Sequence, residues 1–289
     1  MPPRFGLCAR FPAPIVITTG TITQQTSENR GRAIGEGMLE AVAVSKQFGG
    51  MTVVDQVSLA VARGEIAGLI GPNGAGKTTM FNLLAGSLRP SGGEIRLEGR
   101  AIATAPAHRR LGLGLGRTFQ IPRPFPDMTV LENLLLAAPG QTGEHILPNL
   151  LTPARVAREE RHNLENARAL LDFVELGRLA REPARTLSGG QRKLLELARV
   201  LMADPQIILL DEPAAGVNPT LLETIIARIQ DINRRGVTLL IIEHNMDLIA
   251  RLCSRVFVMA SGRLLCEGTP EQVAGDPRVI DAYLGGAPA

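Results

Sequence analysis

The chain has 289 residues, of which 45% are hydrophobic and 20% charged, and its formal net charge is +3. This composition is typical of a folded globular protein and excludes an intrinsically disordered chain or a polytopic membrane protein. Apolar runs such as Val237 to Ile242 have the length of strands and fall short of the roughly 18 residues of a membrane-spanning helix. The three cysteines (Cys8, Cys253 and Cys266) lack metal-ligand spacing, which argues against a disulfide framework and a zinc site.

The basic residues do not suggest a nucleic-acid-binding patch. The arginines are spread along the chain and mixed with acids, which is typical of a solvated surface, so we expect no nucleic-acid partner. Only three of the 31 basic residues are lysines, namely Lys46, Lys77 and Lys193. Because the chain is so rich in arginine, each lysine is a candidate for a functional role.

Residues 1–37 differ from the rest of the chain. They contain Pro-Pro and Thr-Thr-Gly-Thr, and their one apolar patch, Ala13 to Ile17, is too short for the hydrophobic region of a signal peptide. We predict a disordered N-terminal extension, with a natural start at Met38 as the alternative. One domain is then expected over residues 38–285.

The first half of this domain reads as strands around a glycine-rich segment. Alternating apolar residues predict a hairpin over Leu39 to Val61, with its turn at Phe48-Gly49-Gly50. Glu65 to Ile70 is predicted to be a buried strand. After the glycine-rich segment, a helix with Met80 and Phe81 on its apolar face precedes another strand, Gly92 to Glu98.

Residues 121–199 predict a helical subdomain inserted into the core. Val130 to Ala137 and Pro153 to Phe173 have helical patterns, and Ala138 to Thr152 between them is predicted to be a loop insertion.

Strands alternate with helices again in the last third. Ile207 to Leu210 and Val237 to Ile242 are predicted strands, and between them Asn218 and Pro219 are typical of a helix N-cap and first turn. This alternation predicts an α/β fold with a mainly parallel sheet.

The segment Gly71 to Thr78, which we call the phosphate loop, matches G-x-x-x-x-G-K-[ST] between a predicted strand and a predicted helix. Glycines let backbone N–H groups turn toward phosphate oxygens, and the helix N-terminus adds its positive dipole end. Lys77 would contact the β- and γ-phosphates of ATP and Thr78 would offer its hydroxyl to Mg²⁺. The predicted phosphate-binding residues are Gly71, Pro72, Asn73, Gly74, Ala75, Gly76, Lys77, Thr78 and Thr79.

Two acids follow the aliphatic strand Ile207 to Leu210. The C-terminal ends of parallel strands are where an α/β sheet places its site. We predict that Asp211 holds Mg²⁺ and that Glu212 orients or activates the attacking water. The alternative for such acids is a solvated strand end.

The segment Leu187 to Gln191, which we call the signature segment, precedes an amphipathic helix. By itself it is a capped helix start, with Ser188 as the N-cap. A hydroxyl, free N–H groups and a helix dipole also make an anion site. Two anion sites so far apart in one sequence suggest that they meet across a dimer.

The phosphate loop, the signature segment and Asp211-Glu212-Pro213 stand in the order found in ATP-binding subunits of ABC transporters, which the chain resembles over Leu39 to Gly285. The resemblance implies a P-loop NTPase with a RecA-like parallel sheet, an antiparallel β subdomain and a helical insertion. It also implies a head-to-tail dimer, in which each ATP lies between the phosphate loop of one subunit and Ser188, Gly189, Gly190 and Gln191 of the other.

Further site residues are implied by the same resemblance. Phe48 matches an aromatic residue that stacks on adenine, with a core residue at a hairpin turn as the alternative. Gln120 matches a glutamine that reaches Mg²⁺ and the attacking water, and His244 a histidine that contacts the γ-phosphate. The expected catalytic residues are thus Glu212, His244, Gln120 and Lys77, and the expected metal ligands are Thr78, Gln120 and Asp211. Asn218 departs from the pattern, because the family commonly has Asp there.

Four stretches are similar to importers of branched-chain and other hydrophobic amino acids. They are Ala214 to Pro219, Arg117 to Gln120, Thr129 to Asn133 and Ala282 to Gly285. This similarity implies a peripheral subunit on the cytoplasmic face of a bacterial inner membrane. Its expected partners are a second ATPase subunit (homo- or heterodimer), two transmembrane permeases and, indirectly, a periplasmic substrate-binding protein.

Other classes of protein share some of these motifs. An ATPase of a urea or short-amide importer, or of a lipid exporter, carries closely similar motifs. A soluble ABC ATPase of DNA repair or ribosomes usually has a long coiled coil or two modules, which this chain lacks. The signature segment argues against a P-loop kinase, and no guanine-reading Asn-Lys-x-Asp run supports a GTPase.

Overall fold

The structure is a computed structural model that describes residues 37–118 and 124–284. In these residues the strands are β1 (Leu39–Phe48), β2 (Met51–Val61), β3 (Ile66–Ile70), β4 (Gly92–Leu97), β5 (Arg100–Ala101), β6 (Leu115–Arg117), β7 (Ile207–Asp211), β8 (Thr238–Ile242), β9 (Arg255–Ala260) and β10 (Arg263–Gly268). The helices are α1 (Lys77–Ala85), α2 (Ala107–Gly112), α3 (Val130–Leu135), α4 (Ile146–Leu151), α5 (Pro153–Phe173), α6 (Gly189–Leu201), α7 (Pro219–Arg234), α8 (Met246–Leu252), α9 (Pro270–Ala274) and α10 (Pro277–Leu284).

The central sheet of the described chain has the order β10-β9-β3-β8-β7-β6. The strands from β9 to β6 are parallel, and β10 joins β9 as an antiparallel edge. In β7, Ile207 and Leu209 face one core cluster while Ile208 and Leu210 face the other. Burial on both faces explains why these strands are continuous aliphatic runs.

A second, antiparallel sheet has the order β2-β1-β4-β5 among the described residues. The predicted hairpin is present: Leu39 pairs with Val61 and Phe48 with Met51. The apolar side chains of this sheet pack with Met80 and Phe81 of α1 against one face of the central sheet. The two sheets therefore hold α1 between them.

The helical insertion lies between two neighbouring strands, because β6 and β7 pair although residues 118–206 separate them. Apolar residues of α3, α5 and α6 share the core cluster on the other face of the central sheet. Thr129 and Glu132 form a capping box at the start of α3. The helical patterns read from the sequence in this region are confirmed.

The prediction of a loop over Ala138 to Thr152 is wrong in part. The segment contains a 3-10 turn, Thr142–Glu144, and helix α4. Asn149 Nδ2 donates to the carbonyls of Gly143 and His145, at 2.6 and 3.0 Å, and so connects this turn to α4. The side chains of Ile146, Leu150 and Leu151 are exposed, so no buried apolar stripe marked this helix in the sequence.

Across the two described stretches of chain, no helix combines the length and the apolar character that crossing a bilayer requires.

Candidate nucleotide site

The phosphate loop connects β3 to α1 in the conformation that its glycines allow. Gly71 and Gly76 have φ values of 149° and 92°. A Cβ on Gly71 would overlap the carbonyl oxygen of Met259, and one on Gly76 would lie 2.7 Å from the carbonyl oxygen of Val53. Any side chain at these two positions would therefore force the loop away from the sheets that enclose it.

Lys77 folds back over this loop. Its Nζ donates to the carbonyl oxygens of Gly71 at 2.6 Å and Pro72 at 2.8 Å. Burial lowers the pKa of Lys77, and the negative charge of Glu212 partly opposes that shift. Thr78 is exposed beside it in the first turn of α1, where backbone N–H groups have no intrahelical acceptor. The loop thus presents a cation, a hydroxyl and a helix N-terminus together.

The polar pairs at the ends of two strands, Asp211-Glu212 at β7 and Glu243-His244 at β8, lie side by side. Strands β7 and β8 are parallel neighbours, and Asp211 is in register with Ile242. The Glu212 N–H donates to the Ile242 carbonyl at 3.0 Å. Glu212 Oε1 consequently lies 3.8 Å from Nδ1 of His244.

The phosphate loop, Glu212 and His244 line one open cleft of about 820 Å³. The described lining residues are Gly71, Pro72, Asn73, Gly74, Ala75, Glu212, His244, Ala260, Ser261, Asp281, Ala282 and Tyr283. The structure therefore brings the predicted phosphate-binding segment together with two of the predicted catalytic residues.

Asp211 lies behind this cleft in a more enclosed position. It is 6% exposed, and its Oδ2 is 3.3 Å from the Arg117 guanidinium. Burial raises the pKa of Asp211, and the charge of Arg117 opposes the shift. Arg117 NH1 also donates to Asn82 Oδ1 of α1 at 2.7 Å, so this arginine joins the carboxylate to the phosphate-loop helix. Gln120, predicted to complete the metal site, lies outside the described residues.

Glu243 is a site residue that sequence reasoning missed. Its side chain is buried, and its two carboxylate oxygens accept the N–H of Ala214 at 2.9 Å and of His244 at 3.1 Å. It thus ties the loop after Glu212 to the loop that carries His244. The available signal was a second pair of polar residues, Glu243-His244, directly after an aliphatic strand.

The signature segment lies apart from this cleft. Ser188 caps α6 as predicted, in a capping box with Gln191. Of the residues that the structure describes, Ser188, Gly189, Gly190 and Gln191 do not line the cleft. One chain therefore does not bring its two predicted anion-binding helix starts together.

Phe48 also lies outside the described cleft lining. It ends β1 at the hairpin turn, with 45% of its surface exposed. The Lys46 ammonium lies 5.0 Å from the ring centroid. The alternative of a core phenylalanine at this turn is contradicted by the exposure.

The C-terminal helix α10 forms the opposite wall of the cleft. Tyr283 and Asp281 of this helix line the cleft together with Gly71 of the phosphate loop. Burial raises the pKa of Tyr283. The sequence marked this tyrosine only as part of a C-terminal similarity, because nothing local indicates which strand end the last helix reaches.

Comparison with known proteins identifies the family. A family model described as ABC transporter matches residues 54–215, and one described as Branched-chain amino acid ATP-binding cassette transporter matches residues 263–289. The chain belongs to the ABC transporter family. Its activity is ATP hydrolysis, so the prediction of an ATPase is confirmed.

Individual members of the ABC transporter family are similar over most of the chain. A probable branched-chain amino acid transport ATP-binding protein LivG of Archaeoglobus fulgidus is 41% identical, covering 86% of this chain and 95% of its own length. The high-affinity branched-chain amino acid transport ATP-binding protein BraF of Pseudomonas aeruginosa is 42% identical, with 86% and 98% covered. LivG of Escherichia coli is 39% identical, with 88% and 100% covered.

Solved structures of ATP-binding cassettes confirm the fold class. A nucleotide-free cassette from an ABC transporter has a TM-score of 0.74 at 36% identity and covers 85% of this chain and 98% of its own. A cassette in its ADP conformation has a TM-score of 0.74 at 35% identity, with 86% and 98% covered. The predicted P-loop NTPase fold with its antiparallel and helical parts is thereby confirmed.

The site of this ABC transporter family member fits a nucleotide with its metal. Gly71, Gly74 and Gly76 of the loop have positive φ values, and the Lys77 ammonium lies beside the loop at the Gly71 carbonyl. The Thr78 hydroxyl and the Asp211 carboxylate are the hard oxygen donors that Mg²⁺ prefers.

Proposed function

We propose that this chain is the ATP-binding and hydrolysing subunit of an importer for branched-chain or other hydrophobic amino acids. The observation that carries the ATPase role is the single cleft in which the phosphate loop meets Glu212 and His244. The cargo class rests on the names of the relatives and on the family model matching residues 263–289.

The residues take distinct roles in this proposal. Loop N–H groups and Lys77 bind the phosphates, which explains a cation at a helix N-terminus. Thr78 and Asp211, with Gln120, hold Mg²⁺, which neutralises charge on the phosphate oxygens when bound. Phe48 offers an exposed ring for adenine.

Glu212 and His244 act at the γ-phosphate end of the site. Glu212 orients the attacking water and accepts its proton, because it lines the cleft beside the phosphate loop and its Oε1 lies 3.8 Å from His244 Nδ1. His244 is 66% exposed and can contact the γ-phosphate directly. The exposure of this imidazole supports contact with a ligand in preference to a structural role.

The separation of the signature segment from the cleft supports a head-to-tail dimer. Ser188, Gly189, Gly190 and Gln191 of one subunit would complete the cleft of the other, and dimer closure on ATP would move two permease subunits. A periplasmic substrate-binding protein would deliver the cargo to these permeases. The chain would then act at the cytoplasmic face of a bacterial inner membrane, with residues 38–285 as its ATPase domain and residues 1–37 as an extension.

Replacing Glu212 by glutamine tests the ATPase role. The amide keeps the shape but cannot accept a proton, so we expect turnover to fall by about 10²–10⁴-fold while ATP still binds. Size-exclusion chromatography with MgATP should show a dimer that persists for Glu212→Gln and dissociates for the wild type. Wild-type turnover in this variant would remove Glu212 from the mechanism.

Uptake by cells tests the cargo. Deleting the gene from its source organism should abolish uptake of radiolabelled leucine, isoleucine or valine and spare urea uptake. Complementation with the wild-type chain should restore amino-acid uptake, and complementation with Glu212→Gln should not. Loss of urea uptake alone would indicate an importer of urea or short amides. Unchanged uptake of both amino acids and urea would contradict an import role.

A further inference from the structure

The side chain of Lys193 extends from α6, which we call the signature helix, to Glu212 directly after β7. It lies in the second turn of α6, the helix that begins directly after Ser188. Its Nζ donates to the backbone carbonyl of Glu212 at 2.6 Å. This short, charge-assisted bond joins the helical insertion to the catalytic end of the central sheet.

The backbone of Glu212 needs such support. Its φ is 45°, in the left-handed region that residues other than glycine rarely adopt. Three hydrogen bonds hold it there: its N–H donates to Ile242, and its carbonyl accepts from Lys193 and, at 3.2 Å, from the N–H of Ala215.

Lys193 is half-buried among acidic side chains. Burial disfavours its charged form, and the negative charges of Glu243, Glu212, Glu196 and Asp211 offset part of that cost. Lys193 lines a cavity of only about 30 Å³ together with Thr118 and Asp211. A compact ammonium on a flexible stem fits this space better than a planar guanidinium does. This explains a lysine in an otherwise arginine-rich chain.

We propose that Lys193 is a positioning residue that couples the signature helix to the catalytic carboxylate of its own chain. The inference rests on the proposed role of Glu212. In the dimer, Ser188 at the start of α6 would contact the ATP bound by the partner, while Lys193 on the same helix holds Glu212 beside the chain's own ATP. A shift of α6 on nucleotide binding at one site would thereby reorient the carboxylate at the other.

The test compares purified full-length wild-type protein with Lys193→Met, Lys193→Arg and a matched control, Arg228→Met. Arg228 is also a partly buried cation that donates to a backbone carbonyl, that of Phe173 at 3.0 Å, but it lies on α7 away from the cleft. Kd is measured with a fluorescent ATP analogue, kcat by phosphate release, and stability by thermal unfolding.

Lys193→Met should lower kcat roughly ten- to a hundredfold, because a small misplacement of a catalytic group has effects of that size. Its Kd should stay within about twofold of the wild type. Lys193→Arg should recover part of kcat, and Arg228→Met should keep it. Combined with Glu212→Gln, Lys193→Met should lower turnover no further, because both act through one carboxylate.

Different results separate the two proposals. Wild-type kcat in Lys193→Met, beside an impaired Glu212→Gln, would overturn the role of Lys193 alone. If kcat, ATP affinity and thermal stability fell together in both Lys193→Met and Arg228→Met, Lys193 would have a structural role only. Wild-type turnover in Glu212→Gln would overturn the proposed role of Glu212, and with it this one.

Discussion

The phosphate loop and the signature segment are both glycine-rich and both begin a helix, but the two helix starts differ in conformation and in capping. At the phosphate loop the N-cap of α1 is Gly76 in a left-handed conformation, and no side-chain hydrogen bond caps the helix. At the signature segment the N-cap of α6 is Ser188 in an extended conformation, closed by a capping box with Gln191. At the start of α1, no side chain caps the backbone N–H groups. At the start of α6, the side chain of Ser188 accepts one of these N–H groups, that of Gln191.

The packing around the glycines differs as well. A Cβ on Gly76 would lie 2.7 Å from Val53, whereas a Cβ on Gly189 would meet nothing closer than the Gly216 carbonyl at 3.9 Å. Gly76 is therefore required by the chain's own fold. Gly189 is not, although its neighbour Gly190 is, since a Cβ on Gly190 would lie 2.1 Å from Cδ2 of Leu221. The open space at Gly189 leaves room for a partner to approach from outside the chain. The dimer proposed above supplies such a partner.

Between the two helix starts, the largest expected effect is at Gly76. Gly76→Ala places a Cβ in a left-handed conformation, which alone costs about 1–2 kcal/mol, and against the Val53 carbonyl. We expect ATP affinity to fall at least about tenfold, since 1.4 kcal/mol is a factor of ten. Gly99→Ala is the matched control, because Gly99 has φ 74° but open space around it. Isothermal titration with ATP decides this, and an unchanged Kd for Gly76→Ala would show that the loop can rearrange.

The next effect separates the two helix starts. Gly189→Ala should leave the thermal midpoint and the Kd for ATP unchanged, because the methyl group has room in the monomer. Turnover should fall roughly tenfold or more, because the methyl group would keep the backbone from close approach to the partner's phosphates.

ATP hydrolysis measured against protein concentration, with Gly112→Ala as an open helical control, tests this comparison. A loss of monomer stability in Gly189→Ala would mean that the two glycine segments do not differ in the way described. Full turnover would place the signature segment outside the active dimer.

The smallest effect is expected at Asn218, in the loop that packs beside Gly189. Its Oδ1 caps α7 by accepting the Leu221 N–H at 2.9 Å. Asn218→Asp keeps an acceptor near the positive helix end, so unfolding free energy should change by less than about 1 kcal/mol. Asn218→Ala should lose about 1 kcal/mol. Urea unfolding measures both, and equal losses would mean that the cap bond contributes little.

Local features of the site followed from the sequence because their causes are local. The phosphate loop needs glycines at defined positions, and the caps at Ser188 and Asn218 use side chains that reach only three residues along the chain. The proximity of Glu212 and His244 was not predicted, although both follow aliphatic parallel strands and such strand ends share one edge of a sheet. Helix α4 was missed because the apolar side chains that the structure describes in it, Ile146, Leu150 and Leu151, are exposed and produce no burial pattern.

The amino-acid sequence by itself determined the P-loop fold, the family and the residue types of the nucleotide site, because each depends on backbone sterics, periodicity and short spacings. Only the tertiary structure decided that Lys193 donates to the backbone of Glu212, that Glu243 ties two loops together, and that Tyr283 lines the cleft beside Gly71. These contacts join residues far apart in the chain. They depend on how helices pack against the sheet, and no local pattern encodes that arrangement.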